Sequence, residues 1–194
     1  GIGKNGLCSN YSHEYAPYTW EAIQNFKGGN AIFTQPATPI KCGGAPQKIM
    51  YLADEAFRKQ GVREKTHIHF YTPGSVIFGV KEFADTLTEV VKRKNIETHF
   101  FHKIVEIDPD AKKAFFECTT DDTGCVVITD KERQEGVEQL PDGRIVVPYE
   151  LLHMPPPQSA PDFVKASPLA HQEGPSKGWV NVNINTLQSP DYSN

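Results

Sequence analysis

The sequence predicts an α/β fold, a Rossmann-like β-α-β-α-β unit with parallel strands and an antiparallel hairpin after the third strand. Three observations predict it. Two segments, 46–60 and 79–95, carry apolar residues at helical spacing, and each is preceded by a short β-rich run. A third β-rich run, ETHFFHKIVEI, ends in the turn DPDAK and returns as KKAFFEC, the pattern of a hairpin. Strands that alternate with helices call for crossover connections, and crossovers make neighbouring strands parallel.

Taken in order, Pro17–Phe26 reads as a helix stopped by Gly28-Gly29, and Asn30–Thr34 as a short strand. Pro46–Gln60 is the clearest helix. Proline suits its first turn, Ile49, Leu52, Ala53, Ala56 and Phe57 form its stripe, and Gly61 terminates it. THIHFYTPG is a strand with Ile68 and Phe70 on one face. GVKEFADTLTEVVKRKN is the second crossover helix, with Phe83, Ala84, Leu87, Val90 and Val91 inward and a basic last turn that suits the helix dipole. The polar stretch from Thr119 to Gly143 reads as an exposed loop or hairpin tip. GRIVVPYELLHM returns to strand character, PPPQSAP (Pro155–Pro161) is extended, and the alternation in WVNVNIN predicts one more strand.

Composition sets the outer limits. The chain has 194 residues, 38% hydrophobic and 23% charged, which describes a folded globular chain of one sizeable domain. A net charge of −4 argues against nucleic acid, whose phosphates call for a basic face. No apolar run approaches the roughly 20 residues of a membrane helix. The chain opens GIGKNG without an initiator Met and is expected to be an internal piece of a longer protein. Four cysteines, Cys8, Cys42, Cys118 and Cys125, show no CxxC pairing, so neither a zinc site nor a disulfide-dense scaffold is expected.

The candidate site lies between the first strand and the clearest helix, in KCGGAPQ. A dinucleotide would require GxGxxG there and an acidic residue ending the second strand; the glycine pattern is half present, and Thr72 stands where the acid would be. NAD is therefore not expected. What remains is a thiol, Cys42, just ahead of a helix N-terminus, with Lys41 adjacent and Lys48 in the first turn. Unpaired backbone N–H groups, the helix dipole and a lysine can lower a thiol pKa from about 8.5 into the range of about 3.5–7.5. Gly43 and Gly44 keep its approach open. The alternative is a small structural cysteine that happens to precede a helix.

The block FKGGNAIFTQPATPIKCGGAPQKIMYLADEAFRK resembles the animal-type sulfide:quinone oxidoreductases, mitochondrial flavoproteins of the glutathione-reductase-like superfamily. The likeness continues through FGVKEFADTL, FFHKIVEIDPDAKKAFFE and YELLHMPPPQSAPDFVKASPLA to GWVNVN. The resemblance implies the second, dinucleotide-type domain of a two-domain flavoprotein. Residues 1–29 would be a connecting helix from an FAD domain, 30–166 a degenerate dinucleotide-type domain carrying Cys42, and 167–194 a return segment toward the FAD domain. It implies that Cys42 is the flavin-side member of a redox cysteine pair whose partner lies downstream, that Lys48 supports negative charge there, and that Lys41, Gly43 and Gly44 lie near the flavin. Hydrogen sulfide would be oxidised to a protein persulfide, two electrons would pass through FAD to ubiquinone, and a small thiol or sulfite would accept the sulfur. Location at the mitochondrial inner membrane, through a C-terminal segment outside this chain, is likewise implied. Alone, the chain is expected to be inactive and to expose apolar surface. The rival reading is a non-catalytic thiol-bearing binding fragment derived from such an enzyme.

Other residues carry simpler expectations. Cys8 is incidental, and Cys118 and Cys125 are expected as free thiols although they could meet across a hairpin. His67 and His69 share a strand face, but with no third ligand nearby in sequence they are expected to be ordinary strand histidines, with no metal. Tyr71, Phe100 and Phe101 are expected as core and sheet-face aromatics.

Overall fold

The computed structural model describes residues 1–120 and 128–192. The chain divides into two compact units, one of residues 1–37 and 42–156, the other of residues 38–41 and 157–194.

The first unit is built on a five-stranded parallel sheet of β1 (Leu7–Cys8), β2 (Gly29–Thr34), β3 (Thr66–Tyr71), β4 (Ile96–His99) and β9 (Leu151–His153), in the order β1-β9-β2-β3-β4. Helices α2 (Ala45–Lys59) and α3 (Lys81–Arg93) connect β2 to β3 and β3 to β4, which is the expected β-α-β-α-β unit. Two further strands, β1, which the sequence did not foretell, and β9, the end of the strand-like run GRIVVPYELLHM, extend the sheet on the other side of β2. Residues 1–29 thus contribute β1 and α1 (Ala16–Asn25) to this unit.

A second, antiparallel sheet consists of β5 (His102–Asp108), β6 (Lys113–Cys118), β7 (Glu138–Gln139) and β8 (Ile145–Pro148), ordered β5-β6-β8-β7. The DPDAK hairpin joins β5 to β6 as expected. Two other expectations are corrected here. ETHFFHKIVEI is not one strand: the chain leaves the parallel sheet after His99, turns through Phe101 at φ +60°, and enters the antiparallel sheet at His102. GRIVVPYELLHM is likewise divided, with β8 in one sheet and β9 in the other. Strand-forming residues continue across both breaks, so the local pattern gives no sign of where the chain changes sheet.

Alternation along each strand makes two cores. Ala31, Phe33, Ile68, Phe70 and Ile96 meet Ile23 and Phe26 of α1, Met50, Ala53 and Phe57 of α2, and Val91 of α3. Ile32, Tyr71 and Leu152 point the other way, onto Ala114, Phe116, Ile145 and Val147 of the antiparallel sheet. Leu52 and Phe83, expected inside, are each 59% exposed; Met50 takes the core position on α2. The 119–143 stretch is not all exposed loop. It contains α4 (Asp130–Gln134) and β7, and Ile128 and Val137 are buried against the second core. A capping box starts α4: Thr129 Oγ1 accepts from the Glu132 N–H, and the Glu132 carboxylate accepts from the Thr129 N–H at 2.7 Å.

In the second unit, helix α5 (Asp162–Lys165) follows the proline-rich segment. WVNVNIN does not form a strand; it makes turns and one isolated bridge, Ala170 to Val180. Alternation alone cannot make a strand without a neighbouring edge to complete its hydrogen bonds. Cys118 is disulfide-bonded, not the free thiol expected, because a compartment argument says nothing about whether two sulfurs meet. Cys125 lies outside the described residues.

Candidate functional site: a thiol at the carboxyl end of the parallel sheet

Doubly wound sheets place ligands beyond the carboxyl ends of their strands, where the strand order reverses. Here the carboxyl end of β2 leads into the loop before α2. Cys42 lies in the loop that leaves β2, directly before α2, and it is an exposed free cysteine.

Gly44 is the N-cap of α2, with no side-chain cap, and Pro46 sits in the first turn. The loop is anchored by the chain itself. The Ala45 N–H donates to Cys42 O at 3.2 Å and the Lys48 N–H to Gly44 O at 2.9 Å. Gln47, buried under the loop, donates to Ile77 O at 2.5 Å and Gly43 O at 3.5 Å, and accepts from the Tyr51 hydroxyl. Phe78 lies under both glycines, 3.6 Å from where a Cβ on Gly43 would stand. Lys48 is exposed on the first turn. Lys41 opens differently: it belongs to the second unit, where its N–H donates to Gln158 Oε1 at 2.8 Å and its ammonium lies 5.9 Å from the Trp179 ring centre.

Sequence reasoning missed the groups that line this end of the sheet. Burial, and secondarily the neighbouring Cys42, raise the Tyr11 phenol, and its buried hydroxyl has no hydrogen-bond partner. Burial pushes His153, at the end of β9, down to about 4; its Nε2 lies 2.8 Å from Asn10 Oδ1, and its Nδ1 is buried without a partner. The run GRIVVPYELLHM has strand character in the sequence, but nothing local to it says that its end lies in the parallel sheet next to β2. Cys8, on β1, is fully buried, which raises its thiol to about 12 and makes it inert, consistent with an incidental role.

A second cluster lies on the face of β3 and β4 that carries His67 and His69. Register sets His69 beside Glu97 and Tyr71 beside His99, and α4 adds Glu132 and Glu135. The third ligand that the sequence reading lacked is therefore at hand, brought by strand pairing and by a helix in a stretch expected to be loop. Burial first, then neighbouring charged groups, holds His69 and His99 well below the usual imidazole range; burial and Glu97 push Glu135 up.

No protein-family model matches the chain. It is 45% identical over 194 residues to the mouse protein named mitochondrial sulfide:quinone oxidoreductase, and 39% identical over 194 residues to its Dictyostelium discoideum namesake. It is 32% identical over 187 residues to the Schizosaccharomyces pombe protein of the same name. The chain resembles one segment of the sulfide:quinone oxidoreductases. It spans 38%, 37% and 35% of the length of these three relatives. Among solved structures, the sulfide:quinone oxidoreductase of Aquifex aeolicus superposes with a TM-score of 0.61 at 18% identity, over 94% of this chain and 38% of that one. A chain of the Tetrahymena thermophila mitochondrial ATP synthase gives 0.65 at 16% identity, over 93% of this chain and 40% of that one. At such identities these two likenesses speak for the fold alone.

Proposed function

We propose that this chain is the segment of a mitochondrial sulfide:quinone oxidoreductase that presents its flavin-side redox thiol, Cys42. The observation that carries the reading is an exposed free thiol at the carboxyl end of the parallel sheet, one loop before a helix N-terminus, in a chain that resembles this family.

The residues present suit FAD at this end of the sheet. The thiol is accessible, Gly43 and Gly44 present no side chain, and Tyr11 and His153 each hold a buried polar atom without a partner. When bound, FAD supplies the two-electron acceptor and the relay to the quinone. The chain's own part is thiol–disulfide chemistry. Hydrosulfide attacks the disulfide that Cys42 forms with a second cysteine outside this chain; the S–S bond breaks, leaving a persulfide on the second cysteine and a thiolate on Cys42. A small thiol or sulfite takes the outer sulfur of the persulfide and leaves the second cysteine as a thiolate; the two thiolates then close the disulfide again, giving up the electron pair that FAD would accept. Lys48, exposed on the first turn of α2, is assigned the support of negative charge at this end of the sheet. Lys41, Gly43 and Gly44 are assigned to the flavin side with Cys42, peripheral attachment to the inner membrane to segments beyond this chain, and residues 30–166 to the degenerate dinucleotide-type domain.

The test is flavin bleaching by sulfide in the full-length protein. Wild type bleaches on adding sulfide and recovers on adding a ubiquinone analogue. Cys42→Ser, with FAD still bound, is expected to abolish bleaching. Equal bleaching rates in the two proteins would make Cys42 structural and end the assignment.

A further inference from the structure

We propose that His69, His99 and Glu97 bind a divalent first-row transition ion of the zinc class, on the sheet face opposite the helices. The site is assembled by strand register: His69 on β3 pairs with Glu97 on β4, and His99 follows two residues on, so all three side chains leave the same face. One ligand atom from each of the three lies within 4.8 Å of the others. His69 Nδ1 stands 3.1 Å from His99 Nε2. Two ligand atoms on a tetrahedral zinc, with bonds of about 2.0–2.1 Å, are separated by about 3.3–3.4 Å, so this spacing is close to what an ion would impose.

His69 is wholly buried, and its other ring nitrogen, Nε2, faces Glu135 Oε2 at 3.4 Å, an acidic partner of the kind that orients a metal-binding imidazole. Glu135, whose side chain is 4% exposed, also pairs with His67 Nδ1 at 2.8 Å. A second set, His67, Glu97 and Glu135, shares Glu97 with the first.

The charge balance favours a cation. Glu97 and Glu135 share one ammonium, Lys131, which contacts Glu97 and lies 3.6 Å from Glu135 Oε1, while Glu132 faces His99 Nδ1 at 3.4 Å. Lys131 is half exposed. An approach exists: a cavity of about 490 Å³ is lined by Glu97, His99, Thr129 and Glu132. Tyr71 stacks on the His99 ring at 4.1 Å and holds it in place. Two imidazoles with one carboxylate suit zinc and its neighbours, whereas calcium and magnesium take oxygen ligands.

The test is titration of the full-length protein with ZnCl₂ against a chromophoric chelator. It is run in a Cys42→Ser background so that the exposed thiol does not contribute. The expected result is one equivalent bound, with affinity weakened by about tenfold or more in Glu97→Gln and in His99→Ala. Co²⁺ in place of zinc should give the visible absorption of a tetrahedral site, lost in the same variants. Glu97 is at the rim of the core, so Glu97→Gln keeps the test valid even where His99→Ala fails to fold. Failure of the parent protein to compete with the chelator, or equal affinity in Glu97→Gln, would overturn the site.

Discussion

At the scale of single residues, the buried imidazole of His153 has the plainest consequence. Its pKa in the fold, about 4, lies below the ordinary histidine value of about 6.5. The unfolded chain therefore binds the extra proton first, and stability falls as pH drops from about 6.5 toward about 4; above that window the contribution is intact. The full effect is of the order of 3 kcal/mol. Urea titrations at pH 7 and pH 4.5 should show this loss, and His153→Gln should reduce the difference between them. An unchanged difference in the variant would mean that other groups govern the acid limb. Gly6 shows a constraint of another kind. It adopts φ +79°, and a Cβ there would lie 2.1 Å from the carbonyl oxygen of Glu150, so no side chain fits where β1 joins β9.

At the scale of elements, α2, the turn that follows it and the end of α3 are tied together by one buried carboxylate. Asp54 accepts from Arg58 at 3.0 Å, from Arg63 at 2.7 Å and from Lys94 at 2.6 Å. Arg63, itself buried, also donates to the carbonyls of Thr66, Lys94 and Asn95, the residues that lead into β3 and β4. Burial alone would raise the Asp54 carboxyl, but the hydrogen bonds from Arg58, Lys94 and Arg63 outweigh it and hold it low. Asp54→Ala leaves the Arg63 guanidinium buried without its counter-charge and is expected to cost about 3–5 kcal/mol. Chemical denaturation measures it. A loss below about 1 kcal/mol, the scale of a surface pair, would show that solvent replaces the carboxylate.

At the scale of the whole molecule, strands β2 and β3 bury side chains on both faces, while the outer surfaces of the helices keep apolar side chains in water. Trp20 on α1, Leu52 on α2 and Phe83 on α3 are each more than half exposed, and Phe163, Ile184 and Leu187 in the second unit are more exposed still. Exposed apolar groups in this number favour association. The 194-residue chain by itself is expected to sediment as a concentration-dependent mixture of monomer and larger species. A single monomeric boundary across a hundredfold concentration range would contradict this. The same chain within the full-length protein is where Cys42 and the histidine cluster are to be tested, since the relatives it matches are more than twice its length.

Much was legible in the sequence because it rests on local chemistry. Helices α2 and α3, strands β2 and β3, the DPDAK hairpin and the exposed thiol before α2 all follow from apolar period, from proline and glycine placement and from the position of one cysteine, none of which depends on distant residues. The tertiary structure decided what depends on partners. A β-rich run such as ETHFFHKIVEI is compatible with one long strand or with two strands in different sheets, and only the presence of a second sheet selects the break at Phe100-Phe101. WVNVNIN had the alternation of a strand and no edge to join. His67 and His69 looked solitary in sequence. Glu97 and His99, 28 and 30 residues beyond His69, become their neighbours through parallel register, and Glu135 through a short capped helix. Local pattern sets what each segment can form; which segments meet, and hence which side chains share a site, is settled by packing and hydrogen-bond pairing between parts of the chain far apart in sequence.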